Sequence, residues 1–261
     1  MRTPLQHPTR RQPLARFPAT LGLALVFMLG TAACSVASAS RTNADQPGSP
    51  GRGRLVDMGG RHLYLRCQGT GTPVVVFVAG LGDTGEAAWG TVWSEVARST
   101  RACVYDRAGL GRSDPGPNAA TYQSAVDDLH ALLQNAHVAG PYLLVGHSLG
   151  GLLARLYAHD HPEAIAGLVL LDGTPVGWFP TVQRLLPAAV IGLLAHNPEG
   201  FDLSHGLASL TPLDTPGALG HRPLAVMWAP SQPPPGLPAS TRRELERSWE
   251  TEQARLGRLS S

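Results

Sequence analysis

Two hydrophobic periods alternate along the chain. Val74–Val78 is apolar at every position, and Tyr142–Val145, Ala166–Leu171 and Leu224–Trp228 repeat that pattern. Runs of this length, apolar throughout, read as strands of a sheet covered on both faces. Ala102–Asp106 is a further strand. Between them the period changes from 2 to 3.6. Trp89, Val92, Trp93 and Val96 recur at helical spacing within Glu86–Ser99. Val126, Leu129, Leu132, Leu133 and Ala136 line one face of Thr121–Ala136. Leu152 to Ala158 continues a helix that Pro162 ends. Thr241-Arg242-Arg243-Glu244 has the form of a capping box before a last helix that turns Leu245, Trp249 and Leu256 inward. Strands alternating with helices predict a mostly parallel sheet with helices on both faces. At the front, Arg54–Met58 and His62–Cys67 read as two strands of a hairpin joined at Gly59-Gly60. Gly173–His221 is too long for a simple connection. Pro175, Trp178, Phe179, Leu185, Leu186, Ile191, Leu193 and Leu194 make it apolar and partly helical.

The stretch that organises the chain is Tyr142–Gly151, YLLVGHSLGG. A buried strand runs into Gly146-His147-Ser148-Leu149-Gly150, and a helix begins at once. This is G-x-S-x-G in the strand–turn–helix setting that gives the pattern its meaning. A serine at so sharp a turn needs a strained backbone, and the two glycines let strand and helix close in around it. Two more stretches accompany it: Val74–Gly82, VVVFVAGLG, and Tyr105–Asp114, YDRAGLGRSD. Taken together and in this order, the three motifs resemble those of the α/β-hydrolase superfamily, from about Leu55 to about Leu256.

That resemblance implies roles for particular residues. Ser148 is the expected nucleophile. The N–H groups of Leu149 and of Leu81, in Ala79-Gly80-Leu81-Gly82, are the expected oxyanion hole. Asp106, Arg107 and Ser113 organise their turn. The acid of the triad follows the sixth or seventh strand in relatives. Ala229-Pro230-Ser231-Gln232 has no carboxylate after the seventh, so Asp172 after the sixth is the candidate, with a turn-capping Asp as the alternative. The insertion at 173–221 corresponds to a cap over the nucleophile. Its apolar residues either face Ser148, favouring an apolar acyl or alkyl group, or pack on the sheet. The chain order Ser, acid, His requires a histidine after an eighth strand. No histidine follows His221, so the expectation is a chain without strand 8 and without its catalytic histidine. His196 and His205 in the cap are the fallback bases.

The N-terminus changes the picture of where such a domain works. Arg2, Arg10, Arg11 and Arg16 precede an apolar run from Leu21 to Ala33, and small residues follow through Ala39. This is the form of an export signal over residues 1–39, cleaved or retained as an anchor. Thr31-Ala32-Ala33-Cys34 also resembles a bacterial lipobox, which makes Cys34 a lipidation candidate and membrane attachment through the N-terminus an expectation. Residues 40–53 read as a flexible linker, and 54–261 as the hydrolase domain. With Cys34 lipidated or removed, Cys67 and Cys103 remain, and an even pair in an exported protein suggests a disulfide. The resemblance places the end of strand 2 beside the start of strand 4, which would bring the two together; two buried free thiols are the alternative.

Composition excludes more than it adds. Net charge is +2, and all 21 basic residues are arginine. With 30 Gly and 23 Pro, this reflects coding bias rather than a nucleic-acid patch. There is no H-E-x-x-H, no C-x-x-C and no dinucleotide fingerprint, so neither metal nor cofactor is expected. Two functions remain: a serine hydrolase acting on a carboxylic ester or related acyl bond of a small molecule, or a binding module that keeps the pocket without turnover. A dehalogenase would want a carboxylate where Ser148 stands.

Overall fold

The computed structural model describes residues 52–188, 191–192, 196–201, 203 and 206–261. The expected export segment 1–39 with Cys34, the expected linker as far as residue 51, and Leu193, Leu194 and His205 of the 173–221 insertion lie outside the described residues. Among the described residues no helix is long and apolar enough to cross a membrane.

Seven strands form one sheet in the order β1-β2-β4-β3-β5-β6-β7. They are β1 Arg54–Asp57, β2 His62–Gln68, β3 Val74–Val78, β4 Ala102–Tyr105, β5 Tyr142–His147, β6 Ile165–Leu171 and β7 Leu224–Met227. The β1/β2 hairpin joins the sheet antiparallel, through β2 on β4. Every other pair is parallel. The wholly apolar β3 is buried at all five positions because it lies between neighbours and beneath helices on both faces. Its Val75 and Phe77 pack with Trp89 and Trp93 of helix α1, Gly85–Val96. Val74, Val76 and Val78 face the opposite side, with Val126, Leu129 and Leu133 of α2, Tyr122–Asn135, and Leu152, Leu153 and Leu156 of α3, Leu149–Asp160. Thr121 caps α2, its side chain accepting from the Ser124 N–H, so this helix begins where its sequence pattern does.

The segment between β6 and β7 is the cap insertion. It carries a short 3-10 turn Val176–Trp178, helix α4 Phe179–Leu185 and a 3-10 stretch Leu207–Asp214. Helix α5, Ala239–Leu256, follows β7.

Three details differ from the sequence pattern. Helix α5 starts at Ala239 after Pro238, without a side-chain cap, so Thr241 lies inside the helix rather than at its head. A Pro-fixed entry replaces the capping box. Helix α1 is kinked at Gly90, and Val92 is 55 % exposed although its spacing matches that of the buried tryptophans. Strand β7 is apolar throughout, yet it alternates between half-buried Leu224 and Val226 and exposed Ala225 and Met227. It pairs only with β6 among the described residues, and the face that carries Ala225 and Met227 meets solvent.

Cys67 and Cys103 are register partners on β2 and β4 and form a disulfide, with their Cα atoms 4.0 Å apart. The pairing expected from the cysteine count is present.

Candidate active site

Ser148 stands between the end of β5 and the start of α3, at φ 51° and ψ −119°. A non-glycine residue holds such a backbone only when its surroundings fix it. Here they do. The Ser148 N–H donates to Leu171 O at 3.1 Å, and its carbonyl accepts from Gly151 and Thr174 at 2.9 and 3.0 Å. The two glycines of the motif have separate steric reasons. A Cβ on Gly146 would lie 2.4 Å from the Gly150 carbonyl oxygen, and one on Gly150 would lie 2.1 Å from that of Val78. The elbow is thus clamped between β3, β6 and the root of the cap, and the serine is partly open to solvent.

Leu149 heads α3, where first-turn N–H groups have no partner inside the helix. Leu81 lies in the turn after β3. That turn is held by a group the sequence pattern did not single out for the purpose. The Arg107 guanidinium, 5 % exposed, donates to Ala79 O at 2.6 Å and to Gly80 O at 2.5 Å. It also pairs with Glu199 of the cap, Nε to Oε2 at 2.6 Å and Nη2 to Oε1 at 2.7 Å. Glu199 Oε1 accepts in turn from the Gly82 N–H at 2.6 Å. Burial by itself would lower the Arg107 pKa, but the Glu199 hydrogen bonds and charge outweigh it and the net direction is up. The arginine is a permanent cation. Asp106 organises a second turn, that of Asp106–Ser113 after β4: its carboxylate accepts from the Gly85 and Arg112 N–H groups, and Ser113 Oγ donates to its carbonyl at 2.6 Å. The expectation that Asp106, Arg107 and Ser113 organise this turn is met, and Arg107 reaches further than expected. A cavity of about 480 Å³ adjoins the pair, lined by Tyr105, Arg107, Pro198, Glu199 and Phe201 among others. Ser148 is not among its walls.

Asp172 follows β6 with φ 46°. Its N–H donates to Met227 O at 2.8 Å, and its Oδ1 accepts from the Ala229 N–H at 2.8 Å. Trp249 of α5 donates to the Ala229 carbonyl at 3.1 Å and stacks edge-on against Trp178. A carboxylate has about four acceptor positions, so one bond to Ala229 leaves room for an imidazole.

The histidines are spread over the molecule. His62 meets Asp114, His130 stacks on His161 at 3.7 Å between ring centres, and His159 meets Asp160. His196 Nδ1 contacts Gly192 O at 2.7 Å, and His221 contacts Ser261 O at 3.1 Å. His147 comes close to Gly80, where an added Cβ would lie 3.0 Å from its Nδ1. Among the described residues no histidine is hydrogen-bonded to Ser148. Among them, too, no group of three or more His, Cys, Asp or Glu side chains could hold a metal ion.

Residues 73–195 match the family model described as the alpha/beta hydrolase fold. Over those residues, just under half of the chain, it is similar to the α/β-hydrolase superfamily. It is 36 % identical over 132 residues to "Putative carbamate hydrolase RutD" of Cronobacter sakazakii, covering 46 % of this chain and 48 % of that one. It is 33 % identical over 158 residues to "Probable transporter efuK" of Hormonema carpetanum, covering 53 % of this chain and 23 % of that one. The chain therefore spans less than half the length of these two curated relatives. Among solved structures, E-2-(acetamidomethylene)succinate hydrolase is 25 % identical, with a TM-score of 0.46 and coverage of 52 % and 49 %.

Proposed function

We propose that this chain is a serine hydrolase that attacks a carboxylic ester or related acyl bond of a small molecule with Ser148. The observation that carries the reading is the backbone of Ser148 itself. A strained φ of 51° is maintained by three hydrogen bonds and by glycines that no other residue could replace. Strain of this kind at a strand-to-helix turn serves to present a side chain. Ser148 Oγ adds to the acyl carbon and the carbonyl π pair moves to oxygen. The Leu149 and Leu81 N–H groups receive that oxyanion, a service worth about 10²–10³ in rate per donor. Collapse expels the alcohol with a proton and leaves an acyl-serine, which water then cleaves to the acid. Asp172 is the acid that would orient a histidine base. The proton transfers need that base, and Ser148 has no histidine bonded to it among the described residues.

That last observation favours a second reading, a binding module that retains the pocket without turnover. One experiment separates them. A fluorophosphonate probe labels only an activated serine. The expected outcome for residues 1–261 is slow labelling at Ser148, abolished in Ser148→Ala. Complete absence of labelling favours the binding module. We extend the proposal to an exported, envelope-associated location, on the strength of the basic, apolar and small-residue segments before Ala39.

A further inference from the structure

The Arg107–Glu199 pair does more than fill the space under the cap. We propose that it is a positioning device for the oxyanion hole, in which the cap, through Glu199, sets the direction of the Leu81 N–H. This rests on the hydrolase reading above.

The argument starts from the peptide unit. The Gly80 carbonyl and the Leu81 N–H belong to one planar trans peptide, so they point in opposite directions. Arg107 Nη2 takes the Gly80 oxygen at 2.5 Å. Fixing that carbonyl toward the buried guanidinium fixes the Leu81 N–H away from it. Nη1 takes the preceding carbonyl, Ala79 O, and Glu199 Oε1 takes the following free amide, Gly82 N–H. Three consecutive sites around Leu81 are thereby held by one ion pair, and the peptide between them has no freedom to rotate. A cation on the carbonyl also polarises the amide, which strengthens the N–H as a donor.

Glu199 belongs to the cap and Arg107 to the turn after β4. The guanidinium fork is held on its Glu199 side by two hydrogen bonds at 2.6 and 2.7 Å, with the Glu199 side chain 1 % exposed. Without Glu199, Arg107 would be an unpaired buried cation, and the Gly82 amide would lose its acceptor. Seating of the cap is therefore tied to the geometry of the oxyanion donor, although neither side chain of the pair touches the reacting atoms.

The test needs a nucleophile that works without a base and two reactions that differ only in whether an oxyanion forms. Ser148→Cys in the full chain supplies the nucleophile. Acylation by p-nitrophenyl acetate builds an oxyanion at the carbonyl, and alkylation by iodoacetamide displaces iodide and builds none. Both are followed at position 148 by mass spectrometry. Adding Arg107→Met with Glu199→Gln removes both buried charges together, which avoids stranding one of them. The expected result is acylation slowed about 10- to 100-fold, somewhat less than loss of a whole donor, with alkylation unchanged within about twofold. Arg107→Lys keeps the charge but not the fork, and is expected to slow acylation by a smaller factor in the same direction. It stands in should the double variant fail to fold. Equal slowing of both reactions shows a merely structural pair and overturns the proposal, as does no change in either. Failure of the hydrolase reading would show separately, as absence of fluorophosphonate labelling in the chain with Ser148 intact.

Discussion

Ser148 and Gly150 are two positions apart and do opposite things with the same turn. Ser148 accepts strain so that its hydroxyl is presented, and Gly150 gives up its side chain so that α3 can touch β3. The added methyl of Gly150→Ala would sit 2.1 Å from Val78 O and 2.7 Å from Ala79 O, both backbone atoms that cannot swing aside. Overpacking usually costs about 1–3 kcal/mol, and contact with rigid backbone belongs at or above the top of that range. Gly150→Ala is expected to lower the urea midpoint by at least about 1 M, at a slope of ~1–3 kcal/mol/M. A midpoint unchanged within error would show that α3 can back away from the sheet. These residues were legible in the sequence because the motif they form occupies five consecutive positions. Glu199 was not. It meets Arg107 across 92 residues, and no window of sequence contains both.

The same logic appears between elements. Arg155 lies on α3, seven residues after the nucleophile, and its side chain is 1 % exposed. It pairs with Asp214, bonds to Thr174 O and reaches Gly151 O at 3.3 Å. Asp214 Oδ2 accepts from the Val176 and Gly177 N–H groups at 2.7 and 3.3 Å. Burial pushes the Arg155 guanidinium down to about 9, which still leaves it charged at neutral pH. The elbow helix is thus pinned to both the start and the later part of the cap insertion. Arg155→Met would leave Asp214 buried and unpaired. The expected loss is about 3–5 kcal/mol, with partial recovery in Arg155→Met/Asp214→Asn, both read from urea denaturation. Recovery is the diagnostic part, because a purely packing role for Arg155 would give none. Helical spacing and apolar runs had located α1, α2, α3 and the sheet strands. They failed where a neighbour rather than the local pattern decides the outcome. Val92 matches its helix period but meets solvent beyond the Gly90 kink, and β7 is apolar yet its Ala225 and Met227 meet solvent. At α5, Pro238 at the N-cap overrode a capping pattern that begins at Thr241.

On the scale of the whole sheet, the first two strands join the rest through a single antiparallel junction. Among the described residues β1 pairs only with β2, and β2 reaches the rest of the sheet through β4. Cys67 and Cys103 close that junction as direct partners in its antiparallel register. The two cysteines are 36 residues apart, so the bond constrains a sizeable loop of the unfolded chain. In the chain-entropy model such a loop is worth about 4 kcal/mol. The stabilisation has a location as well as a size. The loop it closes holds β3, α1 and the Ala79–Gly82 turn, so the bond also shortens the unfolded excursions of the segment that carries Leu81. Cys67→Ala/Cys103→Ala is expected to lower the unfolding free energy by roughly 3–4 kcal/mol, measured by urea denaturation at matched pH. Hydrogen exchange should respond unevenly. Amides of β1 and β2 should lose protection first, while the central β5, between β3 and β6, should follow only the global change. Uniform loss across β1, β2 and β5 would show that the hairpin is held by its side-chain packing, through Leu63 and Leu65, and that the disulfide acts on the unfolded chain alone.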